Sequence, residues 1–171
     1  GAIALRLLLG RARGDAAEPP TARIAVAASF AALVLLLAMD LGAALAVPPG
    51  QCLVAVWFAS AGLAVNLSFT LDWLGLGVAT LVAGIGWLTL AFAANYLHRE
   101  PGFHRFYLGL CVFLAGMLLL VLAGNVLLAF VGWELAGIAS YLLIAYAWQR
   151  PVATANAQFA FITNRIGDAG L

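Results

Sequence analysis

The stretch VLLAFVGWELAGIASYLLIAYAW, residues 126–148, is a long apolar run that contains one carboxylate, Glu134. A helix needs about 20 apolar residues to cross a hydrocarbon core of about 30 Å, because its backbone polar groups must be satisfied internally. The run meets this requirement, and its Gly, Ala and Ser residues allow neighbouring helices to approach closely. We therefore predict a membrane-spanning helix with an acid in its interior.

The rest of the chain repeats this apolar pattern. Of its 171 residues, 65% are hydrophobic and only 9% are charged, whereas a soluble domain carries about a quarter charged residues. Complete spans are predicted at 24–47, 73–97, 106–122 and 126–148, and partial spans at 1–10 and 153–171. The fold class that we expect is an all-α polytopic membrane protein. Residues 1–171 should form a single transmembrane helix bundle that is a piece of a longer subunit.

Arginine residues are concentrated in alternate predicted loops, and the chain has no lysine. The first, third and fifth loops contain Arg11, Arg13 and Arg23; Arg99 and Arg105; and Arg150. The segments between them, 48–72 and 123–125, contain none. By the positive-inside rule the basic loops should face the cytoplasm and the others should face out.

Residues 51–72 are too polar and too broken for a span. From Val65 to Leu71, apolar residues alternate with Asn66, Ser68 and Thr70, which is the period of a strand. We predict a short β-hairpin on the outer surface, with its turn at 60–62; an amphipathic coil at the interface is the alternative. Asp72 is expected to cap the helix that follows, and the turn formed by Gly124 and Asn125 is given no further role.

Most of the acids have ordinary explanations. Asp15, Glu18 and Glu100 fall in predicted loops where water solvates them, and Asp40 lies near the outer end of its span, where it can reach the interface. The aromatic residues near the predicted span ends, among them Tyr107, suit an interfacial belt.

Glu134, Arg165 and Asp168 are different, because an ionised group in the middle of a bilayer costs at least about 2.5 to 3.5 kcal/mol. Glu134 and Asp168 both lie about 21 to 23 Å along their helices from the same loop at Arg150, so the two acids should share one membrane level. Arg165 precedes Asp168 by one helical turn and should pair with it. We expect no basic residue of this chain to lie near Glu134, and we therefore expect it to bind a proton reversibly unless a helix outside this sequence supplies a cation.

Purely structural roles are the alternatives: an interhelical hydrogen bond for Glu134 and an architectural ion pair for Arg165 with Asp168. Cys52 and Cys111 are expected to be unpaired thiols, and we predict no metal site.

The run NVLLAFVGWELAGIASYLLIAYAWQRP, residues 125–151, followed by AFITNRIGDAG, residues 160–170, closely resembles the antiporter-like proton-translocating subunits of complex I, the NADH-quinone oxidoreductase subunit L family. The resemblance continues upstream through LSFTLDWLGLGVATLVAGIGWLTLAFAANYLHREPGFHRFY, residues 67–107. It covers about residues 64–171.

This resemblance implies proton translocation driven by quinone reduction elsewhere in the complex, without a cofactor or redox centre in this chain. Glu134 matches the key glutamate of the family, which couples to a lysine on a later helix, and Arg165 with Asp168 matches its neighbouring charged pair. The implied partners are other membrane subunits of complex I, the lipid bilayer and protons, and no nucleic acid is expected. The implied location is the bacterial inner membrane. A multisubunit cation/proton antiporter is the first alternative, and a membrane scaffold is the second.

Overall fold

A computed structural model describes residues 18–45, 50–60 and 63–170. The elements in chain order are α1 (Glu18–Leu45), β1 (Gly50–Ser60), β2 (Leu63–Leu71), α2 (Trp73–Tyr96), α3 (Phe103–Val121), α4 (Val126–Ile144) and α5 (Pro151–Asp168). A 3-10 turn, Ala145–Ala147, extends α4. The predicted partial span at 1–10 lies outside the described residues.

Four of these helices are long and apolar enough to cross a membrane: Glu18–Leu45, Trp73–Tyr96, Phe103–Val121 and Val126–Ala147. They correspond to the four complete spans predicted from the sequence. Large apolar side chains on their outer faces are exposed, for example Leu74, Leu81 and Phe92 on α2. Such exposure is expected where lipid, not water, is the surrounding solvent.

The first helix begins earlier than predicted. The predicted loop ran to Arg23, but α1 begins at Glu18 and places Pro19 and Pro20 in its first turn, where proline is well tolerated. The prediction that water solvates Glu18 is also wrong, because this residue is 5% exposed. Its Oε2 lies 2.9 Å from His98 Nδ1 and accepts a hydrogen bond of 3.2 Å from the backbone N–H of Arg99.

These contacts bring the start of α1 to the loop between α2 and α3. The end of α4 lies at the same place, since a Cβ atom added to Gly102 would be 2.7 Å from the ring of Tyr146. Arg105 and Arg150 line one small cavity there. The basic loops therefore meet at one end of the bundle, as their alternation along the sequence predicted.

The opposite end carries the predicted hairpin. β1 and β2 pair antiparallel from Gly50 opposite Leu71 to Ser60 opposite Leu63, with two bulges in β1. Ser60 belongs to the strand, and the other predicted turn residues, 61 and 62, lie outside the described residues. As predicted, Asp72 caps α2 by accepting a hydrogen bond of 2.7 Å from the backbone N–H of Gly75.

The turn between α3 and α4 anchors this hairpin, so the view that Gly124 and Asn125 only form a turn is wrong. The backbone N–H of Gly124 donates to Ser68 O at 2.8 Å, and the backbone N–H of Thr70 donates to Leu122 O at 2.9 Å. Asn125 caps α4 through the N–H of Leu128 at 2.8 Å and donates to Asn66 O at 2.7 Å.

Polar groups inside the bundle have partners of their own. Thr80 donates a hydrogen bond of 2.6 Å to Asp40, which joins α2 to α1. Tyr107 is fully buried, and its hydroxyl donates to Leu90 O at 2.7 Å. Tyr107 is therefore a core residue and not part of an interfacial belt. Cys52 and Cys111 are both free.

Candidate functional site

The position of α4 is fixed by its close contact with α3. A Cβ atom added to Gly116 would lie 2.8 Å from Ala136 N, and one added to Gly132 would lie 2.9 Å from Gly116 O. The two helices therefore approach backbone to backbone, which only small residues permit. Ala136 and Ala139 are buried on the same side of α4.

The side of α4 that faces α5 carries Glu134. Its carboxylate oxygen Oε2 forms an ion pair with Nη1 of Arg165, a residue of α5. The expectation that Glu134 has no cation near it in this chain is therefore wrong. Sequence spacing assigned Arg165 only to Asp168, its neighbour on the same helix, whereas the guanidinium extends across the gap between the helices.

Asp168 lies on the other side of the same guanidinium. Its Oδ2 is 3.5 Å from Arg165 Nε, and both of these atoms are shielded from solvent without a hydrogen-bond partner in the part of the chain that the structure describes. Arg165 therefore lies between two carboxylates and contacts Glu134 more closely. The prediction that the two acids share one level is confirmed, because a single side chain reaches both.

Sequence reasoning missed a further member of the site, Trp133. Its indole Nε1–H donates a hydrogen bond of 2.8 Å to Asp168 Oδ1. One signal was available in the sequence: this tryptophan stands in the interior of the span beside Glu134, whereas membrane tryptophans usually lie near span ends.

An aromatic ring and a glycine lie beside the guanidinium of Arg165. The Phe161 ring centroid is 5.1 Å from Arg165 Cζ, within the range of a cation–π interaction. Phe161 in turn contacts the ring of Tyr141, with the ring centroids 5.4 Å apart, so Tyr141 lies on the same side of α4 as Glu134. A Cβ atom added to Gly137 would lie 3.6 Å from Arg165 Nη2. Gly137 therefore lies directly beside the guanidinium, at an ordinary contact distance.

This arrangement contains two carboxylates and one guanidinium, hence one negative charge in excess when both acids are ionised. A single added proton makes the cluster neutral. In an apolar setting both the ion pair and the excess charge have larger energies than in water. The charge balance of the cluster therefore changes with one proton, and Arg165 has two carboxylates within reach.

A metal site has a different requirement, namely several ligands gathered at one point. Within 18–45, 50–60 and 63–170, no three His, Cys, Asp or Glu residues are grouped so that they could hold a metal ion.

Two protein-family models match this sequence. Residues 57–107 match the N-terminus of chain 5 of NADH-ubiquinone oxidoreductase (complex I). Residues 123–171 match the transmembrane region shared by NADH:quinone oxidoreductase and the Mrp antiporter. The second match contains Glu134, Arg165 and Asp168, together with Trp133.

Among curated proteins, NADH-quinone oxidoreductase subunit L of Mycobacterium tuberculosis is 39% identical over 96% of this chain and 26% of the relative. Subunit L of Escherichia coli is 37% identical over 67% of this chain and 19% of the relative. The chloroplast NAD(P)H-quinone oxidoreductase subunit 5 of Adiantum capillus-veneris is 40% identical over 68% of the chain and 16% of the relative. The chain thus spans about a quarter or less of the length of these relatives.

Proposed function

Because this chain belongs to the family of antiporter-like membrane subunits that includes NADH-quinone oxidoreductase subunit L, we propose that it helps to carry protons across an energy-transducing membrane as part of such a complex. Its four apolar helices and its bacterial relatives identify a multi-pass integral membrane protein of the bacterial inner membrane. The observation that carries the proposal is the contact between Glu134 and Arg165, with Asp168 beside the same guanidinium.

The proposed chemistry is a proton exchange coupled to a shift of one ion pair. When Glu134 takes up a proton, it loses its charge and holds Arg165 less strongly. The guanidinium then moves toward Asp168, whose Oδ2 is already 3.5 Å from Arg165 Nε. When Arg165 returns, it again favours the ionised form of Glu134, and the proton is released to the next carrier.

The driving reaction is proposed to lie in other subunits. In this view no redox centre or cofactor belongs to this chain, and the neighbouring membrane subunits of the complex are its partners. The excess negative charge of the cluster also fits the family expectation of a lysine on a later helix, since a buried cation there would balance it.

Glu134→Gln in the complete subunit tests the proposal, because glutamine keeps the size of the side chain and removes its exchangeable proton. In assembled complex, we expect a lower ratio of protons translocated to electrons transferred. Proton translocation should be measured in inside-out vesicles, and quinone reduction should be measured in parallel. Glu100→Gln is the matched control, because Glu100 is exposed in the loop between α2 and α3. An unchanged ratio in Glu134→Gln removes this residue from the proton path.

A cation/proton antiporter is the second candidate, since the family model that matches residues 123–171 covers both kinds of protein. The two differ in what drives transport. An antiporter moves protons against a sodium or potassium gradient without a quinone, whereas the proposed function requires quinone reduction.

A further inference from the structure

Trp133 contacts Asp168 across the gap between α4 and α5. Its indole N–H lies 2.8 Å from Asp168 Oδ1, although α4 and α5 carry these residues on separate helices. The indole nitrogen is a donor only, and a hydrogen bond to an ionised carboxylate is shorter and stronger than one between neutral groups. A carboxylate oxygen can accept two hydrogen bonds, so the indole does not block Oδ1 but holds the Asp168 carboxylate in one orientation.

Arg165 is not fully paired with Asp168, its neighbour on the same helix. A guanidinium binds a carboxylate best through two parallel hydrogen bonds that use both oxygens. Asp168 follows Arg165 by one helical turn, so the two side chains are within reach of each other. In this structure Oδ1 is bound to Trp133, the distance from Oδ2 to Arg165 Nε is 3.5 Å, and Arg165 Nη1 contacts Glu134 instead.

Trp133 and Glu134 are consecutive residues, so one helix presents both to α5. Successive side chains point about 100° apart around a helix, which allows the indole to contact Asp168 while the carboxylate contacts Arg165. Two neighbouring residues of α4 thus contact the two charged residues of α5: Trp133 contacts Asp168, and Glu134 contacts Arg165.

We propose that Trp133 is a positioning residue: by holding the Asp168 carboxylate in its present orientation, with Oδ2 at 3.5 Å from Arg165 Nε, it keeps the Arg165 guanidinium on Glu134. The inference deepens the proposed function and rests on it. Without the indole donor, Asp168 is free to bind Arg165 through both oxygens. Loss of a hydrogen bond to a charged group changes such a balance by roughly tenfold, here toward Asp168 and away from Glu134.

The test is Trp133→Phe in the complete subunit, assembled in the complex and assayed in membrane vesicles. We expect a lower ratio of protons to electrons at an unchanged amount of assembled complex. Trp87→Phe is the matched control: Trp87 also lies within a span, and its indole stacks at a tilt on Phe30, with ring centroids 5.3 Å apart. Equal ratios in Trp133→Phe and the unaltered complex overturn the proposal.

A second variant separates positioning from simple loss of packing. Asparagine at position 168 cannot form the bidentate ionic pair that withdraws Arg165, so Trp133→Phe should lower the ratio no further when added to Asp168→Asn. If the two losses add in full, Trp133 acts through packing and the proposal fails. A structure of the Trp133→Phe complex supplies a direct readout: Arg165 should contact both oxygens of Asp168, and a guanidinium that stays on Glu134 contradicts the proposal.

The proposed function has its own test in Glu134→Gln. If Glu134→Gln lowers the ratio and Trp133→Phe does not, the role of Trp133 falls and the function stands. If Glu134→Gln has no effect, the function falls, and the structure of the Trp133→Phe complex still reports whether the indole positions Arg165.

Discussion

The two sides of α4 differ in how they contact their neighbours. Toward α3, Gly116 and Gly132 bring backbone against backbone, with no space for even a methyl group. Toward α5, contact is made by long side chains, and the side chain of Arg165 keeps 34% of its surface exposed and that of Glu134 keeps 20%. One side is closely packed, and the other is held by polar and ionic contacts that can be exchanged.

This difference suits the proton transfer that we propose at Glu134. Close-packed backbones have few alternative arrangements, so α3 fixes the depth and rotation of Glu134. Ion pairs made by long side chains can change partner without movement of the backbone. Because α3 holds α4 in place, Arg165 can change its partner on the other side while Glu134 keeps its position.

The largest effect is expected from Gly132→Leu, which disrupts the close packing of α4 against α3. A side chain at this position meets the backbone of Leu120 and of Gly116, and overpacking of this kind costs about 1 to 3 kcal/mol or more. We expect the subunit to accumulate poorly in the membrane, as measured by immunoblot. Gly77→Leu is the control, because a Cβ atom there meets nothing within 4 Å. Equal accumulation of the two variants contradicts the description of the α3 side as closely packed.

An intermediate effect is expected at Gly137, on the side of α4 that faces α5. A methyl group there lies 3.6 Å from Arg165 Nη2, an ordinary contact, so Gly137→Ala should change proton translocation little. Gly137→Val adds methyl groups in the path of the guanidinium and should lower the ratio of protons to electrons without loss of assembled complex. Gly77→Val controls for the cost of a β-branched residue in a helix. The prediction fails if valine and alanine at position 137 behave alike.

The smallest effect is expected at Asn125, where α4 begins beside the hairpin. Asn125→Ala removes the helix cap and the bond to Asn66, at a cost of about 1 kcal/mol. Asn125→Asp keeps an acceptor for the N–H of Leu128 and loses only the donor, so its cost should be lower. Thermal unfolding of the purified complex measures both. Equal losses would mean that the bond to the hairpin, and not the cap, stabilises this end.

Much of the fold could be predicted because it follows from local physical requirements. The four spans appear in the sequence as apolar runs long enough to cross a bilayer, and the hairpin appears as alternation between residues 65 and 71. Glu134, Arg165 and Asp168 could be identified one by one, because an ionisable residue in an apolar run is costly wherever it lies.

The partners of these residues could not be predicted in the same way. Spacing along one helix assigns Arg165 to Asp168, yet the closer contact of Arg165 is with Glu134 on α4. Glu18 was expected in water for a similar reason, since nothing in its own segment indicates that His98 and the backbone of Arg99 approach it. The sequence shows Trp133 only as one more apolar residue of its span, because its partner Asp168 lies on another helix, α5.

The sequence alone determined which segments enter the bilayer, which ends of the spans lie together and which residues carry charge inside. Entry into the bilayer depends on the free energy of transfer of each segment from water to lipid, which is a sum over the residues of that segment. Only the tertiary structure decided how Trp133, Glu134, Arg165 and Asp168 are paired. Pairing depends on the distance and rotation between helices, and those are set by contacts such as that of Gly116 with Gly132, which no single segment encodes.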